Sequence, residues 1–246
     1  MKSELIEILE ELFAIGGNHD ILKALELRRK LKVFLNHDEQ LLGDQNSENV
    51  VIAKDAIRFI DANNTYANTS SVVEAGRHLN SFFDRLLNQE KWNRYELKIF
   101  IGSSHLTKDV EQAIRLGVEA IIKFVEFYDD SRTGVLEGLL SCNICSRILH
   151  AKYFDDVDEK YFLSSEFKKW FSRLRHLAQE HEELELSNLV TKVRYALFEK
   201  NDVWIIEHMQ ELENYDKKIV DLINREIHFY RTSKRYRYPN AHEKED

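Results

Sequence analysis

The sequence predicts an all-α fold, and three features carry that prediction. Helix breakers are nearly absent, with 8 Gly and 1 Pro in 246 residues. Apolar residues recur at three- and four-residue intervals along most of the chain, the period of a helix with one buried face. Period-two alternation, the mark of a half-buried strand, is missing throughout. About a dozen helices joined by short polar turns point to antiparallel hairpins. Stacked in order, at roughly 34 to 45 residues per pair, they form a TPR-like right-handed stack, an α-solenoid, without the consensus residues of TPR repeats. The reading is one helical domain over residues 1–238 and a frayed tail over 239–246.

Element by element, Ser3 caps a first helix with Leu5, Ile8, Leu9, Leu12 and Phe13 inward, and Gly16-Gly17 ends it. Asp20 caps a second to about Leu35, with Ile21, Leu25, Leu31 and Leu35 set against a basic side from Arg28 to Lys32. After a polar loop from Gly43 to Ser47, a third runs from about Glu48 to Asp61, and Asn63 to Thr69 stops it. Ser70 or Ser71 opens a fourth through Leu87. Lys91 to Ser103 is a short helix with a heavy aromatic load. Thr107-Lys108-Asp109 opens a long helix to about Tyr128, with Val110, Ile114, Val118, Ile121, Ile122 and Val125 inward. Asp129 to Gly134 turns the chain, and Val135 to about Tyr153 is helical again. An acidic run from Asp155 to Lys160 precedes a helix that holds Phe167, Trp170, Phe171, Leu174 and Leu177. Leu184 to Glu199, Val203 to Glu213 and Tyr215 to about Thr232 complete the set.

Composition narrows the function classes. The formal charge of -8 argues against a wholesale nucleic-acid binder, because neutralising phosphates takes a basic face. Two Cys exclude a disulfide framework and fit a reducing compartment. No apolar run reaches the length of a membrane span, and the acidic N-terminus does not follow the plan of a secretory signal, so the expected location is cytoplasmic.

Catalysis has no visible home, and no cofactor or metal is expected. Cys142-Asn143-Ile144-Cys145 lacks the preceding strand of a redox motif, and zinc would need further ligands recruited from scattered histidines, so its reading is helix packing. His181-Glu182-Glu183 lacks the second His of a zincin site. Asn143 stands out instead. An Asn inside the apolar run Leu139 to Ile144 is costly if buried unsatisfied, and its amide offers the donor and acceptor that grip a peptide backbone. Arg147 and His150 lie one and two turns on along the same face, and Arg194 adds a charge to the same groove. The competing reading bonds Asn143 to a neighbouring helix, pairs Arg147 with Glu137 or a tail carboxylate, and gives Arg194 a surface salt bridge. The basic-aromatic stretch Arg225 to Pro239 is read as a helix terminus favoured by the macrodipole, and otherwise as a contact for an acidic partner.

Trp92-x-x-Tyr95-Glu96-Leu97-x-x-Phe100, followed by a small loop and a long amphipathic helix, resembles a segment in the C-terminal regulatory domain of the Rgg/GadR/MutR family of bacterial transcriptional regulators. By helix order the likeness runs from about Ile21 to Arg231 and is sharpest between Phe82 and His150. It implies a peptide-sensing domain of a quorum-sensing type. A short signalling peptide would lie on the concave face, and a homodimer would pair through the helices from Val203 to Phe229. The family's helix-turn-helix is not found ahead of Ile21, and Met1 to Ile15 is too short and acidic to read a major groove. DNA would therefore be reached only through a helix-turn-helix domain absent from this chain. The rival expectation is a helical scaffold or inhibitor that binds a protein partner and no small peptide.

Overall fold

The computed structural model describes residues 2–15, 21–42, 47–155, 160–215 and 217–237. Among these the chain is 87% helical, in 13 α-helices with no strand. The first helix already includes Lys2, so Ser3 lies inside that helix and not at the cap predicted for it; the predicted break at Gly16-Gly17, the cap at Asp20, the loop beginning at Gly43, the acidic run after Asp155 and the tail from Pro239 fall outside what is described. Where the sequence reading runs a single domain to residue 238, the chain gathers into two compact units, Met1–Lys108 and Asp109–Asp246.

Unit 1 holds α1 (Lys2–Ile15), α2 (Ile21–Leu42), α3 (Glu48–Thr69), α4 (Val72–Arg77), α5 (Asn80–Asn88) and α6 (Arg94–Ser103). Its core joins Leu5, Ile8, Leu9 and Leu12 of α1 to Leu27, Leu31 and Phe34 of α2 and to Ile52, Ala56 and Ile60 of α3. The α1 stripe is the predicted one. The α2 stripe is rotated: Leu27 and Phe34 are buried while Ile21 is exposed, and Arg28 of the basic side clasps Asp61 of α3 through two bonds of 2.5 and 2.9 Å.

α3 overruns its predicted stop by two turns. Side chains in the polar segment bond back to the turn before them, Asn63 to the Phe59 carbonyl at 3.0 Å, Asn68 to Asn64 at 2.9 Å and Thr69 to Thr65 at 2.9 Å. These bonds, which in other contexts compete with helix, here lie along it. The helix ends at Ser70, whose φ of 54° is left-handed, and Ser71 caps α4 by accepting from the Glu74 amide at 3.2 Å. The helix predicted from Ser70 to Leu87 is two helices. Gly76 of α4 sits so near the Leu106 carbonyl oxygen that a Cβ there would overlap it.

Unit 2 holds α7 (Val110–Phe127), α8 (Asp130–Phe154), α9 (Lys160–Leu177), α10 (Glu185–Phe198), α11 (Asp202–Leu212), α12 (Lys217–Thr232) and α13 (Lys234–Arg237). α8 touches α7, α9 and α10 and is buried nearly all round, as a central helix must be. It begins five residues before its predicted start, because Asp129 accepts from the Arg132 amide at 2.8 Å as an N-cap.

α7 corrects the sequence reading most sharply. Its buried face is Val110, Ala113, Leu116, Gly117, Ala120 and Phe124, while Val118, Ile122 and Val125, expected inside, are 42%, 57% and 67% exposed. Close packing made the choice. At Gly117 a Cβ would overlap Ile144 of α8 and crowd the Trp170 ring of α9. A face of small residues admits neighbouring helices at a distance that the branched side chains opposite would hold off.

Candidate ligand-binding site

The segment that carries the family resemblance builds a cleft in unit 1. Asn93 is the N-cap of α6: its Oδ1 accepts from the Tyr95 and Glu96 amides at 3.0 and 2.9 Å, and Glu96 Oε2 accepts from the Asn93 amide at 2.7 Å. This reciprocal capping box starts the helix at Arg94 and leaves Trp92 ahead of it. Trp92 is still buried. Its indole N–H donates to the Leu86 carbonyl at 3.2 Å, and its ring meets Phe100 edge-on at 5.6 Å.

Glu96 is 2% exposed and takes bonds from Arg85 and from Gln89 Nε2 at 3.2 Å. The same Arg85 reaches Asp55, 0% exposed on α3, which also accepts from Arg58 at 2.9 Å. Burial pushes the Asp55 carboxyl above the usual carboxylate range, against the pull of Arg85 and Arg58. Burial draws the Arg85 guanidinium down, but Glu96 and Asp55 outweigh it and hold it above its ordinary value. The network closes one side of a cleft of about 440 Å³, whose apolar wall is Val51, Ile52 and Trp92 and whose rim carries the opposite charges of Glu48 and Lys91. That volume lies in the range of about 300–1,000 Å³ common for small-ligand pockets.

The four residues singled out from the sequence lie in unit 2. Arg147 and His150 share a face of α8, as their spacing requires, but that face is closed. Arg147 Nη2 bonds Asp155 at 2.5 Å, His150 Nδ1 lies 3.3 Å from the same carboxylate, and the imidazole packs against Phe154 at 5.0 Å and Phe229 of α12 at 6.5 Å. Burial raises the Asp155 carboxyl, yet His150 and Arg147 together hold it below the usual carboxylate range. Asn143 is half-buried and engaged in its own contacts. Glu137, the partner weighed for Arg147, pairs instead with Arg173 of α9.

Arg194 joins α10 to α12 by a two-pronged bond to Glu226 at 2.8 and 3.1 Å, and its Nη1 lies 3.3 Å from the Cys142 sulfur. Burial opposes its charge, and Glu226 more than restores it. This is an inter-helix strut rather than a surface pair. The basic tail is likewise engaged, with Arg235 on the Asp155 carbonyl and Arg231 on Asp202 at 2.5 Å. Arg147 and His150 are thus closed off by the chain itself.

Sequence reasoning missed Asp55 and Arg85. The signal was present, since Asp55 sits one turn from Ile52 and next to Ala56 on the inward stripe of α3, and a carboxylate on an apolar stripe implies a buried cation. Among the described residues no group of three or more His, Cys, Asp or Glu side chains is placed to hold a metal ion, and no helix is long and apolar enough to cross a membrane. No protein-family profile, curated protein sequence or solved structure matches this chain.

Proposed function

We propose that this chain is the peptide-sensing regulatory part of a cytoplasmic transcriptional regulator of the Rgg/MutR kind, with its ligand site in the cleft of unit 1. One observation carries the reading: Trp92 and Glu96, which anchor the resemblance, are also residues that line the cleft. The chemistry suits a short hydrophobic peptide. An apolar side chain meets Val51, Ile52 and the Trp92 ring, while Lys91 faces the terminal carboxylate and Glu48 the terminal amine. Because Arg85 ties Asp55 of α3 to Glu96 of α6, a ligand in the cleft bears on the seam between those helices. Side-by-side packing of successive helices, α2 on α3 and α7 on α8, supports a TPR-like arrangement of hairpins. The protein acts as a homodimer through the exposed Val203, Trp204 and Ile206 of α11, and it reaches DNA through a helix-turn-helix supplied outside this chain.

Isothermal titration with pooled short hydrophobic peptides tests the site. Binding is expected to weaken about tenfold in Lys91→Glu, equivalent to about 1.4 kcal/mol, and to be unchanged in Asn143→Ala. Absence of binding, or binding indifferent to both Lys91→Glu and Val51→Ser, overturns the assignment. Loss in Asn143→Ala alone would return the ligand to the α8 face.

A further inference from the structure

α12 and α13 show solvent a face without a single apolar side chain. Ile223, Ile227 and Tyr230 are buried, and every fully exposed residue from 217 to 237 is polar or charged. Lys217, Asp221, Asn224, His228 and Arg231 follow one another at intervals of four and three residues, so they form one stripe along a helix of 16 residues, about 24 Å long. Lys218 and Arg225 flank that stripe, and Lys234 and Arg237 follow beyond its end. Residues 217–237 hold seven Lys or Arg against two acids, Asp221 and Glu226, in a chain whose formal charge is -8.

The surrounding carboxylates leave most of this charge unanswered. Glu226 is taken by Arg194, and Asp202 of α11 by Arg231. Asp155 is held by Arg147 and His150, and Glu199 stands beside Tyr195. Asp221 lies on the face itself, and Asp216 precedes it in sequence. Lys218 has contacts of its own, and Arg235 is turned onto the Asp155 carbonyl. Lys217, Arg225, Lys234 and Arg237 have no ion-pair partner among the described residues; Arg225 and Arg237 bond only the Asp221 and Arg231 carbonyls, at 3.4 and 3.2 Å. The helix macrodipole does not account for the pattern. It favours Arg231 in the last turn, but α12 opens on Lys217 and Lys218 with no acid in its first turn, where positive charge is unfavourable.

The missing apolar surface decides what this charge meets. A protein partner buries an apolar centre, an amphipathic helix on a membrane inserts an apolar side, and unpaired bases stack on exposed aromatic rings. This face offers none of these. A fixed row of phosphates asks only for cations and hydrogen-bonding side chains, which Lys217, Arg225, Lys234 and Arg237 supply together with Asn224 and His228. We infer that α12 and α13 lie along the phosphate backbone of a nucleic-acid duplex, neutralising about four phosphates without reading sequence. This surface involves neither the cleft nor its ligand, so the two assignments stand or fall separately.

The test uses the full chain and fluorescein-labelled duplexes of about 20 base pairs, two of unrelated DNA sequence and one of RNA, with the single strands as controls. Anisotropy should show saturable binding, alike for the two DNA sequences and weaker for single strands; the RNA duplex shows which duplex is preferred. The logarithm of affinity should fall with the logarithm of NaCl concentration at a slope of about −3 to −4. The exposed triple variant K217Q/R225Q/K234Q should lose at least about tenfold in affinity and flatten the slope by about one for each cation removed, with its thermal transition unmoved. The variant K168Q/R175Q, which removes two exposed cations of α9, should bind as the unaltered chain does. The inference is overturned if no duplex binds, if single strands bind as tightly as duplexes, if K217Q/R225Q/K234Q leaves affinity and slope unchanged, or if K168Q/R175Q weakens binding as much. Binding that appears only in a chain ending at residue 238 also overturns it, since the acid-rich tail is then the occupant of the face.

Discussion

Arg147 Nη2 donates to Asp155 Oδ2 at 2.5 Å, and the guanidinium that makes this bond is 1% exposed. Asp155 ends α8, accepting its charge-assisted bond through the side chain while its amide bonds the Ala151 carbonyl at 3.2 Å. One residue therefore closes a helix and neutralises a cation buried two turns back.

Replacing Asp155 by Asn should cost about 3 kcal/mol at neutral pH, the low end for a broken buried pair because Asp155 is itself partly exposed. The pH dependence follows from a carboxyl whose folded value is depressed. Its stabilisation is complete above the unfolded value near pH 4 and is lost as pH falls through the folded one. Melting curves of the two proteins should thus differ by several degrees at pH 7 and converge in acid. A gap that stays constant down to pH 3 would assign the bond no linkage.

Gly117 and Val118 are chain neighbours with opposite fates. Gly117→Ala should destabilise by about 1–3 kcal/mol despite the helix propensity it gains, because the new methyl overlaps Ile144 and crowds Trp170. Val118→Ala should stay within about 0.5 kcal/mol. Urea titration of both proteins checks the pair, and an equal response would mean that the α7 face assignment is wrong.

Removing the cation from unit 1 should be severe. Arg85→Met leaves Asp55 and Glu96 buried without their shared partner, a loss of about 3–5 kcal/mol. Asn93→Ala removes only the cap of α6 and should cost about 1 kcal/mol. Chemical denaturation that ranks the two in the reverse order would show that the network contributes little.

Both thiols should resist labelling in the native protein. Cys145 is 0% exposed, burial pushes its thiol well above its ordinary value, and Cys142 is 8% exposed beneath Arg194. Ellman's reagent should titrate them only in denaturant. Rapid native labelling of either would place α8 nearer the surface than it stands here.

What the sequence determined by itself was helix. Period, scarce glycine and proline, and the inward stripe of α1 are local properties, written within a few turns of one another and legible without a fold. The Asn93-x-x-Glu96 box is equally local and marks the start of α6, although the run of aromatics drew the predicted helix three residues too early. Tertiary structure decided the partners. The need of Glu96 for a cation could be read beside an apolar face, but Arg85 eleven residues away and Asp55 on another helix could be found only by folding. It also decided between the two apolar sides of α7, because periodicity reports where greasy residues lie and not how near a neighbour can come. That distance is set by the missing side chain at Gly117, which let the small face in and left the branched one open.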